Sequence, residues 1–205
     1  MKIVLAGPPR SGKSCLREGL KQAIRQIPGA PYPYVITACP DGEGAWFQET
    51  AERSSDHARA LKERYKELLG GFSPEFVHRV SESVSNCTLE LTLVDIGGIP
   101  SKENYAICAS ATHIVLLAGN DPKTGENWQD RLSVWREFAE DLGLVVVAEI
   151  FSDYHGTEDK VRGADPNGIL RGSVHFLERG ENLSGRPMIG TLAEHLVQMT
   201  GDEEK

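Results

Sequence analysis

Near the amino terminus, glycines, a lysine and a serine occur in a spacing suited to holding phosphate. The segment consists of Gly7, Pro8, Pro9, Arg10, Ser11, Gly12, Lys13 and Ser14. Its glycines let the backbone bend around phosphate oxygens without a clash from a Cβ atom. Lys13 can reach the terminal phosphates of a nucleotide, and the Ser14 hydroxyl suits Mg²⁺. This spacing therefore predicts binding of a nucleoside triphosphate with Mg²⁺.

An acidic residue at the end of a nearby strand is expected to hold the metal through a water molecule. Asp95 fits this role because it follows an apolar run over residues 89–94 and precedes two glycines. Ser14 and Asp95 are thus the predicted metal site, and Lys13 and Asp95 are predicted catalytic residues. An ordinary aspartate at a strand end is the alternative interpretation.

The residue after Asp95 discriminates between classes of nucleotide-binding protein. It is Ile96, whereas many ring-forming ATPases have a glutamate there that activates water. Residues 95–98 instead resemble the D-x-x-G element of kinases and GTPases, in which the Gly98 amide would sense the γ-phosphate. We find no N-K-x-D element for reading guanine, which favours ATP over GTP. Gly98 and Cys15, the residue after Ser14, complete the predicted nucleotide-binding set.

Two acidic residues, Asp41 and Glu43, follow the strand predicted over residues 34–38. Ligands of open α/β sheets bind outside the carboxyl ends of such strands. Either carboxylate could orient a water molecule or accept a proton from an acceptor hydroxyl, if it comes within hydrogen-bond reach. Both are therefore candidate catalytic residues, and a glycine-rich turn with two solvated acids stays open as the alternative.

Three arginines in the carboxyl-terminal part, Arg162, Arg171 and Arg179, could stabilise a transferring phosphate, in the same chain or from a neighbouring subunit. A solvated surface arginine is the alternative for each of them. Together they make the loop predicted over residues 152–172 a candidate lid.

These side chains must be positioned by strands and helices that alternate along the chain. Such alternation predicts an α/β fold whose mainly parallel sheet has helices on both faces, in three layers. Five to six strands are expected, at residues 2–6, 34–38, 89–94, 113–118, 144–150 and 174–177. The first strand leads into the loop, and a helix begins at Lys13, so that its free amides point at the phosphate.

The predicted domain organisation is a single domain over residues 1–200 with a helical insert over residues 46–85, between strands two and three. Ser73, Pro74 and Glu75 indicate the start of the second helix of this insert. Residues 201–205 are expected to be a flexible tail.

Composition excludes several other classes of protein. The chain has 205 residues, a formal net charge of −8 and four cysteines without metal-ligand spacing. The acidic balance makes nonspecific nucleic-acid binding a poor default. No run is long and apolar enough for a membrane span. We expect a soluble, cytoplasmic protein with reduced cysteines.

The loop, the Asp95 element and the strand order resemble those of P-loop NTPases over most of the chain. Residues 7–14 with residues 38–46 are also similar to an ATPase domain of CRISPR-associated proteins, where it is often fused to a domain that degrades cyclic oligoadenylate. That resemblance implies a role in type III CRISPR signalling. The chain leaves no room for the fused nuclease, which puts nuclease activity in doubt.

Three functions stay open from the sequence, all with ATP and Mg²⁺ as cofactors. The first is a regulatory ATPase that changes conformation or assembly, including as a homo-oligomer. The second is a small-molecule or nucleotide kinase whose acceptor binds at the helical insert. The third is a nucleotide-gated module with little turnover that acts on a partner protein or a signalling nucleotide.

Overall fold

A computed structural model describes residues 1–40 and 72–203 of the chain. The strands are β1 (Lys2–Ala6), β2 (Tyr34–Ala38), β3 (Thr92–Ile96), β4 (His113–Ala118), β5 (Val145–Asp153), β6 (Lys160–Ala164) and β7 (Leu170–His175). Over the same residues the helices are α1 (Lys13–Ile24), α2 (Pro74–Asn86), α3 (Lys102–Cys108), α4 (Trp128–Asp141) and α5 (Pro187–Glu203).

All of these strands join one sheet in the order β2-β3-β1-β4-β5-β7-β6. Neighbouring strands are parallel except for β6, which is antiparallel to β7. The register of β1 with β3 places Leu5 opposite Asp95. The loop that follows β1 therefore begins beside Asp95, which lies near the carboxyl end of the neighbouring strand β3.

Apolar side chains on both faces of the sheet build two cores. On β1, Ile3 and Leu5 pack in one core with residues of α1 and α5, such as Leu16 and Leu192. Val4 and Ala6 face the other core, which contains residues of α2, α3 and α4. Burial on both faces is why β1 is a continuous apolar run, as parallel sheets require.

Side-chain caps set where three of the helices begin. Ser73 accepts a hydrogen bond from the Phe76 amide, and Pro74 occupies the first helical position of α2. Ser101 and Asn127 cap α3 and α4 in the same manner. Each cap satisfies an amide that has no partner within the helix. The helix start predicted at Ser73 is thus confirmed.

The strand count was underestimated, because residues 1–40 and 72–203 already form a sheet of seven strands rather than five to six. Strand β6 lies within residues 152–172, which were predicted to be a loop. It is an exposed edge strand with charged side chains and a glycine, so it lacks the apolar alternation of a half-buried strand. Strand β7 begins at Leu170, before the predicted residue 174, and contains Gly172, against which Met188 packs.

The helical insert stays a prediction, because its first helix lies outside the described residues. Helix α2 agrees with its second part. Helix α5 extends to Glu203 and so includes the first part of the predicted tail. Within residues 1–40 and 72–203, no helix is long and apolar enough to cross a membrane.

Candidate functional site

The loop between β1 and α1 has a backbone that glycine alone adopts easily. Gly12 caps α1 in the left-handed region, with φ 91°, and Gly7 has φ 151°. A Cβ atom on Gly7 would overlap the Leu117 carbonyl, and one on Gly12 would lie 2.5 Å from Leu177 Cδ1. Arg10 also has a left-handed φ of 63°, which is uncommon for a residue with a side chain. The loop is therefore shaped closely by its neighbours.

The Lys13 side chain turns back into this loop. Its ammonium group is largely buried and donates hydrogen bonds to the carbonyl oxygens of Gly7, at 2.8 Å, and Pro8, at 3.1 Å. A positive charge is thus held inside the loop at the amino-terminal end of α1, whose dipole adds to it. Both features favour an anion at this place.

Asp95 lies near the carboxyl end of β3 and is only 4% exposed. Its Oδ2 atom accepts a hydrogen bond from Arg17 Nη1 at 3.0 Å, and Arg17 is also buried. Arg17 stands on α1, one turn after Ser14. Sequence reasoning missed Arg17, since a helical arginine carries no local signal that it faces the core.

The loop after Asp95 packs on the loop between β1 and α1. A Cβ atom on Gly98 would lie 2.6 Å from the backbone nitrogen of Pro9. Asn104, which is buried, donates from Nδ2 to the Ile99 carbonyl at 2.6 Å and so holds this loop from α3. The two loops are therefore in direct contact and line the same pocket.

These loops surround a pocket of about 660 Å³. It is lined by Pro9, Arg10, Ser11, Gly12, Lys13, Ser14, Cys15, Thr37, Cys39, Asp95, Ile96, Gly97, Gly98, Tyr154, Leu177 and Arg179. Its volume is in the range of about 300–1,000 Å³ that small-molecule and cofactor sites occupy. The glycine loop, Lys13 and Asp95 thus present hydrogen-bond donors and one carboxylate to the same cavity, a combination that is compatible with a nucleotide and Mg²⁺.

Most of the predicted site residues meet in this pocket. Gly7 and Pro8 are buried beneath it and contact Lys13 through their carbonyls. Asp41 and Glu43 lie outside the described residues, so their catalytic role stays a prediction.

Sequence reasoning did not find Thr37, Cys39, Tyr154 and Leu177, which also line the pocket. Each follows or ends a strand, but this signal is shared by many residues that line no site. Tyr154 follows β5, and Leu177 comes two residues after β7 ends.

The three carboxyl-terminal arginines do not form one group. Arg179 lines the pocket. Arg171 instead pairs with Glu149 and Asp165, and the Arg171–Asp165 ion pair measures 3.0 Å. Arg162 lies on the exposed edge strand β6.

Buried polar contacts anchor the segment that carries Leu177 and Arg179. The Asp159 side chain is fully buried, and its Oδ1 lies 2.7 Å from His175 Nδ1. Arg186 Nη2 donates to the His175 carbonyl at 2.6 Å. This side of the pocket is therefore held by Asp159, directly before β6, and by Arg186, directly before α5.

Comparisons with known proteins agree with this geometry at the level of the fold. A plasmid partition protein from Borrelia burgdorferi B31, bound to AMPPNP, has a TM-score of 0.57 at 10% identity, over 98% of each chain. This chain therefore has a fold similar to that of the plasmid partition protein. Another structure of a plasmid partition protein from Borrelia burgdorferi has a TM-score of 0.56 at 8% identity, also over 98% of each chain.

The septum site-determining protein MinD from Pyrococcus horikoshii OT3, complexed with Mg-ADP, gives a TM-score of 0.49 at 11% identity, over 100% of this chain and 96% of the other. No protein-family model and no curated protein matches the chain. The two plasmid partition structures agree with the predicted α/β fold, and the comparisons give no support to the resemblance to CRISPR-associated proteins.

Proposed function

We propose that this protein is a regulatory ATPase that binds ATP with Mg²⁺ in the pocket at the carboxyl edge of β1, β2 and β3. The observation that carries this proposal is the Lys13 ammonium group, held inside the glycine loop by the Gly7 and Pro8 carbonyls. A cation that is enclosed by backbone at the amino terminus of a helix is electrostatically complementary to the negative charge of a phosphate chain.

Each part of the pocket would hold a different part of the ligand. The amides from Gly12 to Cys15 would bind phosphate oxygens, and Lys13 would exchange its carbonyl partners for the β- and γ-phosphates. Ser14 would bind Mg²⁺ directly and Asp95 through a water molecule, and the metal would supply charge that offsets the phosphates. The Gly98 amide would sense the γ-phosphate from the neighbouring loop.

The part of the pocket wall formed by Tyr154 and Leu177 suits the nucleoside. Tyr154 is 68% exposed, and its ring centroid lies 5.3 Å from that of Phe176. An exposed aromatic ring can stack on a base, and Leu177 adds an apolar contact. ATP is preferred over GTP because no guanine-reading element was found, and a related fold is bound to AMPPNP.

The second candidate function is a nucleotide-gated binding module that hydrolyses ATP only slowly. Among the described residues that line the pocket, Asp95 is the one carboxylate, and Arg17 already pairs with it. A base for hydrolysis would then come from Asp41 or Glu43. What the nucleotide state regulates stays open between a partner protein, a signalling nucleotide and a second copy of the chain.

The test combines nucleotide binding with phosphate release. We expect a fluorescent ATP analogue to bind the wild-type protein with Mg²⁺, and Lys13→Ala to abolish binding. Lys21→Ala is the matched control, because Lys21 lies on the same helix and pairs with Glu18. Equal binding by the wild type and Lys13→Ala would refute the proposal.

Phosphate release from ATP without a second substrate then separates the candidates. Release that Lys13→Ala abolishes supports the regulatory ATPase, and tight binding without release supports the gated module. Consumption of ATP that depends on an added acceptor would instead support a kinase. Asp41→Asn and Glu43→Gln, measured in the same assay, test whether either carboxylate supplies the base.

A further inference from the structure

Helix α1 has a buried arginine where most of its other buried residues are apolar or small. Its buried residues include Leu16, Leu20 and Ile24, yet Arg17 is among the largest fully buried side chains, with 2% exposure. Arginine is almost never fully buried unless it is paired, since removing the charge from water is costly. A buried arginine at this position therefore needs a partner that offsets the cost of burying its charge.

The partner is Asp95, which is itself expected to hold the metal. Arg17 Nη1 lies 3.0 Å from Asp95 Oδ2, and both side chains are more than nine-tenths buried. Replacing such a pair with apolar residues is often neutral or stabilising, so stability alone is a weak explanation for it. Its position one turn after Ser14 suggests a role in the nucleotide site.

Three groups converge at this point because of the fold. Residues three apart on a helix lie on the same side, so Ser14 and Arg17 both face the sheet edge where β3 ends. The parallel pairing of β1 with β3 brings Asp95 beside them. Ser14 and Asp95 thus line the same pocket, while the Arg17 guanidinium holds one oxygen of the carboxylate.

We propose that Arg17 is a positioning residue, which fixes the Asp95 carboxylate for its contact with the Mg²⁺ of a bound Mg-nucleotide. This inference rests on the proposed function. Groups that hydrogen-bond to metal-ligating carboxylates orient them, and their loss typically lowers metal affinity or activity. Repulsion between Arg17 and the metal is limited, because Asp95 already offsets the arginine charge. We therefore expect the loss of orientation to outweigh the loss of positive charge.

The test measures how much Mg²⁺ strengthens nucleotide binding. The Kd of a fluorescent ATP analogue is determined with Mg²⁺ and with EDTA, and the ratio of the two values is the Mg²⁺ enhancement. We expect Arg17→Met to lower this enhancement by about 10–100-fold and to leave the Kd in EDTA unchanged. Arg17→Lys is expected to retain only part of the Mg²⁺ enhancement, because an ammonium group is a point charge and lacks the planar fork of donors of a guanidinium group. Arg25→Met is the matched control, since the exposed Arg25 directly follows α1, at the helix end far from the pocket, and contacts Tyr32.

A double-mutant cycle keeps the test decisive if Arg17→Met is poorly folded. Asp95→Asn alone should lower the Mg²⁺ enhancement, and adding Arg17→Met should lower it no further, because Arg17 acts through Asp95. The double variant also removes both buried charges together, which avoids leaving one uncompensated. Additive losses would overturn the inference.

The inference and the proposed function fail in different ways. If the wild-type protein binds no nucleotide, the proposed function is wrong and the inference falls with it. If the wild type binds with a clear Mg²⁺ enhancement that Arg17→Met retains, only the role of Arg17 is wrong. A lower enhancement in Arg17→Met, with an unchanged Kd in EDTA, supports both.

Discussion

Gly98 lies directly against Pro9, so that a Cβ atom on Gly98 would come within 2.6 Å of the Pro9 backbone nitrogen. Since the atom that would be met is backbone, it cannot rotate away. We predict that Gly98→Ala displaces the phosphate-binding loop and lowers stability by about 1–3 kcal/mol, the usual cost of overpacking. The affinity for an ATP analogue should fall with it.

The control for Gly98→Ala is Gly185→Ala, because no atom lies within 4 Å of a Cβ atom built on Gly185. Urea unfolding and nucleotide binding should both be close to wild type in the control. If Gly98→Ala binds the analogue as tightly as the control does, contact between the two loops is not needed to shape the site.

Cysteine reactivity is expected to report on pocket occupancy. Cys39 is partly exposed and lines the pocket, whereas Cys108 is buried. Burial raises the pKa of the Cys108 thiol to about 12, so little thiolate is available there to react. We predict that N-ethylmaleimide modifies Cys39 in the native protein, that Mg-ATP slows this modification, and that Cys108 reacts only after unfolding. Mass spectrometry of digested protein provides the measurement, and modification of Cys39 at the same rate with and without Mg-ATP would contradict the proposed binding site.

The aromatic side of the pocket predicts a contribution from base stacking. Tyr154→Ala should weaken binding of ATP by about 1–3 kcal/mol, the range measured when aromatic residues that stack on bases are removed. Tyr154→Phe should retain most of the affinity, because the ring rather than the hydroxyl makes the contact. Tyr34→Ala is the control, since Tyr34 is an exposed tyrosine that is absent from the pocket lining. Calorimetric titration with ATP and with triphosphate alone separates base from phosphate binding, and an equal loss for both ligands would argue against stacking.

Glu149 is expected to make stability depend on pH. Burial raises the pKa of this carboxyl, but hydrogen bonds and charges from Arg136 and Arg171 outweigh burial and lower it below its ordinary value of 4.5. A carboxyl with a lowered pKa stabilises the fold above its unfolded pKa, and this stabilisation is lost as the pH falls through the folded value. The wild-type free energy of unfolding should therefore decrease below about pH 4.5.

Glu149→Gln tests this dependence because it removes the titration and keeps the shape. At pH 7 we expect a loss of about 1–3 kcal/mol, since Arg136 and Arg171 lose their charged acceptor. Below pH 4.5 the difference from the wild type should narrow, as urea unfolding across the pH range would show. Glu82→Gln is the control, because Glu82 is mostly exposed. A difference that stays constant with pH would show that Glu149 does not titrate in this range.

Much of the site could be predicted from the sequence because its chemistry is local. Lys13 and Ser14 sit at set offsets from Gly7 and Gly12, and a strand before them with a helix after them is enough to aim the amides. Asp95 was recognisable because it lies near the end of an apolar strand. Backbone geometry over a few residues dictates these positions, and the binding roles of the residues stay predictions.

The edge of the sheet was harder to predict, for a physical reason. Strand β6 forms because β7 offers it a free edge, and its own residues, such as Lys160 and Arg162, do not alternate in polarity. An exposed edge strand has no buried face, so its sequence need not alternate between apolar and polar residues. Pairing with β7 therefore decides its structure, and that information lies outside its own sequence.

By itself the sequence determined that a glycine-rich loop with Lys13 and Ser14 follows the first strand and that Asp95 lies near the end of a later one. Only the tertiary structure decided that Arg17 pairs with Asp95 and that Tyr154, Leu177 and Arg179 complete the same pocket. The first kind of fact depends on φ and ψ over a few neighbouring residues. The second depends on the order of strands in the sheet, which is decided by packing among segments far apart in the chain.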